Sequence, residues 1–395
     1  MNWASAVSRE LESKDALAEV IGKIKANLGQ QAPDALFVFV SPHHSESYDE
    51  ILEGLHLGLE PKYLIGCSGG GVIGAGHELE EGPGLSLTAA LLPGVAIRTL
   101  SLDDADLPGP DSSPKAWEEA LGVKAADEPQ FLLLVSNFMS KAEDLLAGLD
   151  YAFPSSQKIG GIASGLRGIG ERALFMDRRR VDEGAVVMTL SGDIRLDTLV
   201  AQGCRGIGNV YTITKCDDNM LVELDGSPSL KVLTEIYEGA SPADRSLMNR
   251  SLFVGIVTDP MTAWPPKHGD FLIRNVLGID PAKRSLAVGA QLREGQAIRF
   301  HLRDAEAATQ DLESVLERHQ GAAGGAAGAS GALLFSCMGR GEGMFGKADH
   351  DSQLFRQHFG DIAMGGFFCN GEIGPVGSNT YIHGFTSSFG IFRKK

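Results

Sequence analysis

LLFSCMGRGEGMFGKADHDSQLFRQHFGDIAMGGFFCNGEIGPVG, residues 333–377, contains the pattern that decides the fold. An apolar run ends at Ser336, a glycine-dense turn and a helix-length polar segment follow, and a second apolar run leads into another glycine turn. Two earlier stretches repeat this order, from Ser41 to the cluster IGCSGGG and from Ser136 to IGGIASG. Each stretch closes with a further strand-like run. The sequence therefore predicts a unit of strand, helix, glycine turn and strand that occurs about three times.

The strand-like runs are apolar along most of their length, as in LFVFV and FLLLV. Such runs are typical of strands that are buried on both faces, and a sheet of this kind needs helices to cover it. The predicted class is α/β in the broad sense, a mixed α+β fold with mixed sheets covered by helices. An αββα-like sandwich and a mixed sheet with external helices both satisfy the pattern.

Residues 1–32 are predicted to form an N-terminal helix, because apolar side chains between Trp3 and Leu28 recur mostly at intervals of three and four. A first domain is expected over residues 33–225, since it holds the first two repeats, and a second over residues 226–395.

Alternating strand candidates fill most of residues 211–303, and an amphipathic helix follows over 304–319. The segment QGAAGGAAGASG at 320–331 is of low complexity and is predicted to be a flexible connection to the third repeat.

Composition and charge exclude several classes of protein. Apolar residues make up 43% and charged residues 22% of the 395 residues, as in ordinary globular proteins. A net charge of −16 repels phosphate backbones and anionic lipid headgroups, so neither nucleic acid nor membrane is expected as a partner. The sequence contains neither the apolar h-region of a secretory signal nor an apolar run long enough to span a membrane. The five cysteines are widely spaced, which indicates reduced thiols and not a disulfide framework. We expect a cytoplasmic protein.

Neither a phosphate-binding loop nor a zinc site is convincingly present. GEGMFGKA at 341–348 approaches the phosphate-binding loop, but Ala348 stands where a hydroxyl group should hold magnesium. Cys204 and Cys216 have no histidine between them and do not match a zinc site. No cofactor and no metal is therefore predicted.

Cys337 and Cys369 are candidate nucleophiles, because each lies near a glycine turn with Arg340 and several histidines in the same segment. A cysteine-dependent enzyme is one hypothesis for the function. The alternative for Cys337 is a small buried hydrophobic side chain that continues the strand, and no catalytic residue is assigned.

The end of the chain resembles the C-terminal half of the FIST sensory module, named for F-box and intracellular signal transduction proteins. The residues that carry this resemblance are Ser336–Gly341, Phe345–Gly346, Asp349–Asp351, Gly366–Pro375 and His383–Thr386. Upstream, 64–74 and the glycine turn 159–165 resemble the N-terminal half in the expected order. The resemblance covers the chain from about Pro33 to its end.

This resemblance implies an intracellular sensor of small ligands, with amino acids as the usual proposal and no established catalytic activity. Only residues 1–32 precede the resembling region, so the signalling output is expected from a partner protein. A protein-interaction adaptor, as in F-box relatives, is a further alternative.

An amino-acid ligand would need a cation and backbone N–H groups for its carboxylate, and acceptors for its ammonium group. Arg340 with the amides around Gly341 is the candidate for the carboxylate, and Glu372 with Asn370 for the ammonium group. Further ligand-binding candidates are Cys337 and, from the other repeats, Ser68 and Asn137.

Overall fold

The computed structural model describes residues 1–109, 111–136, 139–166, 171–259, 261–322 and 328–395. These residues form two compact units. The first comprises Met1–Val200, Ser314–Pro375 and Asn379–Lys395, and the second comprises Ala201–Glu313 and Val376–Ser378.

The elements of the first two repeats follow one another from the N-terminus. They are β1 (Asn2–Ser8), α1 (Ser13–Leu28), β2 (Ala35–Val40), α2 (Tyr48–Leu59), β3 (Tyr63–Ser68), β4 (Val72–Gly74), β5 (His77–Leu79), β6 (Leu85–Leu91), β7 (Val95–Leu102), α3 (Pro114–Leu121), β8 (Gln130–Val135), α4 (Ala142–Ala152), β9 (Lys158–Ile162), β10 (Leu174–Met176), β11 (Arg179–Val181) and β12 (Ala185–Gly192). Short 3₁₀ turns occupy Pro42–Ser47 and Ala125–Asp127.

The remaining elements begin with β13 (Arg195–Ala201), continue through the second unit and end with the third repeat. They are β14 (Arg205–Asp217), β15 (Met220–Leu224), β16 (Ser227–Pro228), α5 (Ser229–Gly239), α6 (Pro242–Met248), β17 (Leu252–Val257), β18 (Phe271–Asp280), β19 (Ser285–Val288), β20 (Ala297–Leu302), α7 (Ala305–Ala322), β21 (Ala329–Cys337), α8 (Glu342–Phe345), α9 (His350–Phe359), β22 (Ala363–Cys369), β23 (Glu372–Val376), β24 (Asn379–His383) and β25 (Ser387–Arg393).

The sheets of the first unit share one strand order, which confirms the predicted repeat. The three orders in the described residues are β1-β6-β2-β3-β10-β11, β7-β12-β8-β9-β23-β24 and β13-β25-β21-β22-β4-β5. In each sheet the two central strands joined by a helix pair in parallel, and the closing strand of the repeat pairs antiparallel to the first of them. The sheets are therefore mixed, as the predicted fold class requires.

The hairpin at the end of each sheet comes from a different repeat. Hairpin β4–β5 of the first repeat joins β22 of the third, β10–β11 of the second joins β3 of the first, and β23–β24 of the third joins β9 of the second. This cyclic exchange ties the three repeats into one unit. It also brings the glycine turns that precede the hairpins together.

Alternate side chains of the central strands pack in two directions. Phe37 and Phe39 of β2 lie in a core cluster shared with Leu134 of β8 and Phe335 of β21, whereas Val38 of β2 packs in a second cluster with helices α1 and α2. One face of each of these strands thus points to the common centre and the other to helices. Both faces are buried, which is why the strand sequences do not alternate with polar residues.

The N-terminal prediction was wrong for its first part. Residues Asn2–Ser8 form strand β1, which pairs antiparallel with β6, and the helix begins only at Ser13. Trp3 stacks against Phe392 with ring centroids 4.7 Å apart, and Gly331 leaves the space for its indole ring. Trp3 and Val7 are four residues apart, a spacing that suits one face of a helix and one face of a strand alike.

The segment predicted to be flexible is helical at its start, since α7 extends to Ala322, and β21 begins at Ala329. The residues between them, 323–327, lie outside the described part of the chain.

The second unit is built on one antiparallel sheet with the order β14-β20-β17-β18-β19-β15-β16. Strand β14 pairs with β15 as well as with β20, so the sheet closes on itself. Helices α5 and α6 pack on it through residues such as Val232 and Met248.

Candidate functional site

The third repeat carries a buried group of polar side chains at the carboxyl ends of β21 and β22. We call Cys337, Arg340, His350, Asp351 and Glu372 the Arg340 cluster. Arg340, His350, Asp351 and Glu372 are at most 2% exposed, while Cys337 is partly exposed. All five belong to the first unit.

Local sequence explains how the side chains reach this place. After β21 the chain turns tightly, with the Arg340 N–H donating to the Cys337 carbonyl at 2.9 Å. Asp349 then takes a left-handed conformation with φ 58° as the residue before α9, which places Asp351 in the first turn of that helix. A negative charge is favoured there by the helix dipole.

Arg340 and Asp351 form a bidentate ion pair. Arg340 Nε donates to Asp351 Oδ2 at 2.8 Å and Nη2 donates to Oδ1 at 2.9 Å. Both side chains are at most 1% exposed. Because the surroundings exclude water, neither charge would be tolerated without the other.

Three further groups donate to the Asp351 carboxylate: His350 Nδ1 at 2.8 Å, the Ser336 hydroxyl at 3.2 Å and the Ser387 hydroxyl. Burial by itself would raise the pKa of Asp351, but the charge of Arg340 and these hydrogen bonds outweigh it and lower the pKa. Asp351 is therefore ionised across the physiological range.

Phe345 places a ring beside this ion pair. The ring stacks on the imidazole of His350 with centroids 3.5 Å apart and planes 2° from parallel, and the Arg340 guanidinium lies 5.1 Å from the Phe345 centroid. These contacts fix the orientations of His350 and Arg340.

Glu372 is the side chain of the cluster whose hydrogen bonding is least complete. Its Oε2 accepts from the Thr386 N–H at 3.0 Å, whereas Oε1 makes no conventional hydrogen bond with any group of the described residues. The Cys337 thiol is its polar neighbour. Burial raises the pKa of Glu372 to about 8, against the opposing effects of Thr386, Arg340 and Cys337.

Comparison of the repeats shows that this arrangement replaces a simpler one. In the first two repeats a serine hydroxyl accepts the backbone N–H of a glycine, with the pairs Ser41–Gly84 at 2.8 Å and Ser136–Gly184 at 3.1 Å. Cys337 is the equivalent residue of the third repeat. Its N–H donates to the Thr386 carbonyl, as the N–H groups of Ser41 and Ser136 donate to the carbonyls of Gly84 and Gly184. In the third repeat the Thr386 N–H is instead taken by the Glu372 carboxylate.

Comparison with known sequences decides the family. A model of the FIST N domain matches residues 34–227, and a model of the FIST C domain matches residues 229–375. The chain belongs to the FIST family. FIST domains are sensory modules of signal-transduction proteins, and this coarse role therefore applies to the present chain.

Similar proteins are found in bacteria and in a plant. Two uncharacterized proteins of Mycobacterium tuberculosis are 34% identical to this chain, one over 381 residues with 96% of each chain covered and the other over 386 residues with 98% covered. An F-box/LRR-repeat protein of Arabidopsis thaliana is 26% identical over 285 residues, which cover 63% of this chain and 52% of the plant protein.

The structure of this FIST chain brings together three of the residues singled out from the sequence, namely Cys337, Arg340 and Glu372. Arg340, however, directs two nitrogens at Asp351 instead of standing ready for a ligand carboxylate. Gly341, with φ 92°, lies against the carboxylate of Glu80, which accepts the neighbouring Glu342 N–H at 2.8 Å. A side chain of the protein itself thus fills the amide turn that was expected to receive an anion.

The other predicted residues are more scattered. Cys369 and Ser68 are fully buried, and the Ser68 hydroxyl donates to the Ser164 carbonyl at 2.9 Å. Asn370 is exposed, and its N–H donates to the Ile162 carbonyl at 3.1 Å. Asn137 lies outside the described residues.

Glu78 and Asp351 are important residues that the sequence reasoning did not assign to the site. Glu78 arrives on the exchanged hairpin β4–β5 and accepts the Ser352 N–H at 2.6 Å. Burial, followed by the negative charge of Asp351, raises the pKa of Glu78 to about 8. The motif Asp349–Asp351 could have drawn attention to Asp351. The presence of Glu78 at the site follows only from the exchange of hairpins.

The buried acids predict an unusual pH dependence of stability. Glu372 and Glu78 have pKa values near 8 in the folded chain and near 4.5 when unfolded, so the folded state holds more protons between these limits. The free energy of unfolding should therefore fall as the pH rises from about 4.5 to about 8, by on the order of a few kcal/mol. Asp351 acts oppositely and matters only at pH values below about 4.

The variant Glu372→Gln isolates the contribution of one acid. Urea unfolding between pH 5 and about 8.5 should give a shallower pH dependence for this variant than for the native chain, with a gain in stability at the alkaline end. Glu119→Gln, which changes an exposed acid, is the control and should leave the slope unchanged. Parallel curves for native chain and Glu372→Gln would contradict a raised pKa for Glu372.

In the described part of the chain, no group of three or more His, Cys, Asp or Glu side chains is arranged to hold a metal ion. Among the helices described there, none combines the length and the apolar character that a membrane crossing requires.

Proposed function

We propose that this FIST chain is an intracellular sensor of a small ligand that carries an ammonium group, with amino acids and related metabolites as the ligand class. The observation that carries the proposal is the buried Glu372 carboxyl, whose Oε1 lacks a conventional hydrogen bond within the described residues. Buried polar atoms are normally hydrogen-bonded, so such an atom beside a glycine turn is a place for a ligand donor.

The charge balance of the cluster supports a cationic donor. The Arg340–Asp351 pair is neutral as a whole and saturates its own carboxylate. An ammonium group next to Glu372 would favour the ionised carboxylate and form a charge-assisted hydrogen bond. Asn370, exposed one turn away at the start of the same hairpin, is the second acceptor in this proposal.

Access is proposed through the turn that carries Cys337. Cys337 is partly exposed, and Met338 is 41% exposed. A ligand held there would contact the turns after β21 and β22 together. The output of the sensor would then pass to a partner protein that recognises the ligand-dependent position of these turns.

Thermal unfolding in the presence of ligands tests the proposal. A panel of the amino acids and of matching amines without a carboxylate should contain at least one compound that raises the melting temperature, since a ligand at 100 times its Kd stabilises by about 2.7 kcal/mol. Glu372→Gln should abolish that shift while Glu119→Gln keeps it. A response to amines as well as amino acids would place recognition in the ammonium group alone.

If no compound in the panel shifts the melting temperature at millimolar concentration, the sensor of amines and amino acids proposed here is contradicted. A stable complex with a protein partner in the absence of any small molecule would instead favour the adaptor hypothesis.

A thiol enzyme is a weaker candidate for the function. Burial raises the pKa of Cys369 well above its ordinary value, which disfavours the nucleophilic thiolate. Cys337 is the more accessible thiol, and its position opposite Cys369 suggests a different chemistry.

A further inference from the structure

Cys337 and Cys369 lie directly opposite each other on adjacent strands. They are register partners at the carboxyl ends of the parallel pair β21–β22. Neighbouring strands are about 4.8 Å apart, and disulfide-bonded cysteines have Cα atoms about 4.4–6.8 Å apart. The Cα–Cα separation expected for these register partners therefore falls within the disulfide range, and no rearrangement of the sheet is needed.

Both thiols also point to the same face of the sheet. Phe335 and Phe367, two residues earlier on each strand, are register partners whose rings touch edge to face with centroids 5.8 Å apart. Side chains two residues apart on a strand share a face, so Cys337 and Cys369 continue this contact. Cys369 joins Phe335 and Phe367 in the same core cluster.

This pair is particular to the third repeat. The three repeats can be aligned on the glycine that packs against the backbone of the neighbouring strand, which is Gly66, Gly160 or Gly366. Cys369, three residues after Gly366, corresponds to Gly69 and Ala163. Cys337 corresponds to Ser41 and Ser136. The first two repeats therefore have no thiol at either position.

We propose that Cys337 and Cys369 are a redox-sensitive pair that forms a reversible intramolecular disulfide when the protein meets a peroxide. Cys337 is the thiol that the peroxide reaches, because it is partly exposed, and Cys369 is the resolving thiol, because it is buried. Glu372 is a positioning residue and proton carrier between them. Its charge acts on Cys369, and its carboxyl lies next to the Cys337 thiol.

The reaction balances with one equivalent of hydrogen peroxide. In the ionised form of Glu372, the carboxylate takes the proton of Cys337, and the thiolate attacks one peroxide oxygen, so that the O–O bond breaks and a sulfenic acid and water form with the proton from Glu372. Cys369 then loses its proton to Glu372 and attacks the Cys337 sulfur. The S–S bond forms, the S–O bond breaks, and hydroxide leaves as a second water with that proton. Two thiols are oxidised and one peroxide is reduced.

Peptide mass spectrometry of the peroxide-treated full chain tests this inference. Treatment of the native protein with hydrogen peroxide, followed by alkylation and digestion without reductant, should give a linked peptide pair containing Cys337 and Cys369. Dithiothreitol should restore both thiols. Cys216→Ser, a change at a partly exposed cysteine of the second unit, should leave the linked pair unchanged.

Two variants separate the steps. In Cys369→Ser, oxidation should stop at a sulfenic acid on Cys337 that dimedone labels, and this label should exceed that of the native chain at least about tenfold because no resolving thiol remains. In Glu372→Gln, the rate of disulfide formation should fall at least about tenfold and lose its dependence on pH around neutrality.

The inference is overturned if Cys337 is oxidised to sulfinic acid while Cys369 stays reduced in the native chain, or if Cys337 resists peroxide in the folded chain. These readouts do not involve a ligand, so they are independent of the proposed sensor function. An effect of the disulfide on ligand affinity would rest on that function, because Cys337 adjoins Glu372.

Discussion

Replacing Arg340 by alanine is expected to lower the free energy of unfolding by about 3–5 kcal/mol. The change leaves Asp351 charged in a site where it is almost completely buried. Three other donors would remain, but they are a histidine and two hydroxyl groups and do not supply the cation. Urea unfolding at neutral pH measures this loss of stability. A loss larger than the total stability of the protein would be seen as a variant that does not accumulate in folded form.

A double variant distinguishes a buried ion pair from a general packing defect. In Arg340→Met with Asp351→Leu neither charge remains, so the double variant should regain part of the stability that each single variant loses. The regain should be incomplete, because His350, Ser336 and Ser387 lose their acceptor. Additive losses in the cycle would show that the pair is not coupled.

The second large effect is expected from Gly366→Ala. Gly366 faces the adjacent parallel strand, and a Cβ there would lie 1.8 Å from the Leu334 carbonyl oxygen, with φ 152°. The obstacle is backbone, so it cannot rotate aside. We expect a loss of at least about 3 kcal/mol, at the upper end of the cost of overpacking, because strands β21 and β22 must separate.

Gly343→Ala is the matched control for this substitution. Gly343 belongs to the same repeat, lies in helix α8, and a Cβ there meets nothing within 4 Å. The melting temperature of the Gly343→Ala variant should equal that of the native chain or exceed it slightly, since alanine is favoured over glycine in helices. Equal stabilities for Gly366→Ala and Gly343→Ala would contradict the close approach of the strands.

The repeated unit could be predicted from the sequence because its signals are local. Apolar runs, helix periodicity and glycine clusters occur within each repeat, and the strands over residues 211–303 were recognisable in the same way. The exchange of hairpins was not predictable, because the edge that a two-strand hairpin joins depends on the arrangement of the whole unit. Glu78 enters the third-repeat site only through that exchange.

The candidate site shows the same division between local and tertiary information. Cys337, Arg340 and Glu372 were recognisable as polar side chains near glycine turns. When the repeats are aligned by the serine that ends each apolar run, Ser336 matches Ser41 and Ser136. The backbone hydrogen bonds show instead that the equivalent residue is Cys337, one position later. The role of Arg340 also depends on Asp351, a partner that reaches it only when α9 packs beside β21.

Infrared difference spectroscopy of the Glu372 carboxyl, with Glu372→Gln as the reference, tests the central claim most directly. In the free protein the protonated carboxyl band should disappear with a midpoint of about pH 8. A saturating ammonium ligand from the thermal panel should move that midpoint below neutrality, because the cation stabilises the ionised form. A midpoint near the ordinary value of 4.5 in the free protein, or one that the ligand does not move, would contradict the assignment of Glu372 as the ligand-recognition group.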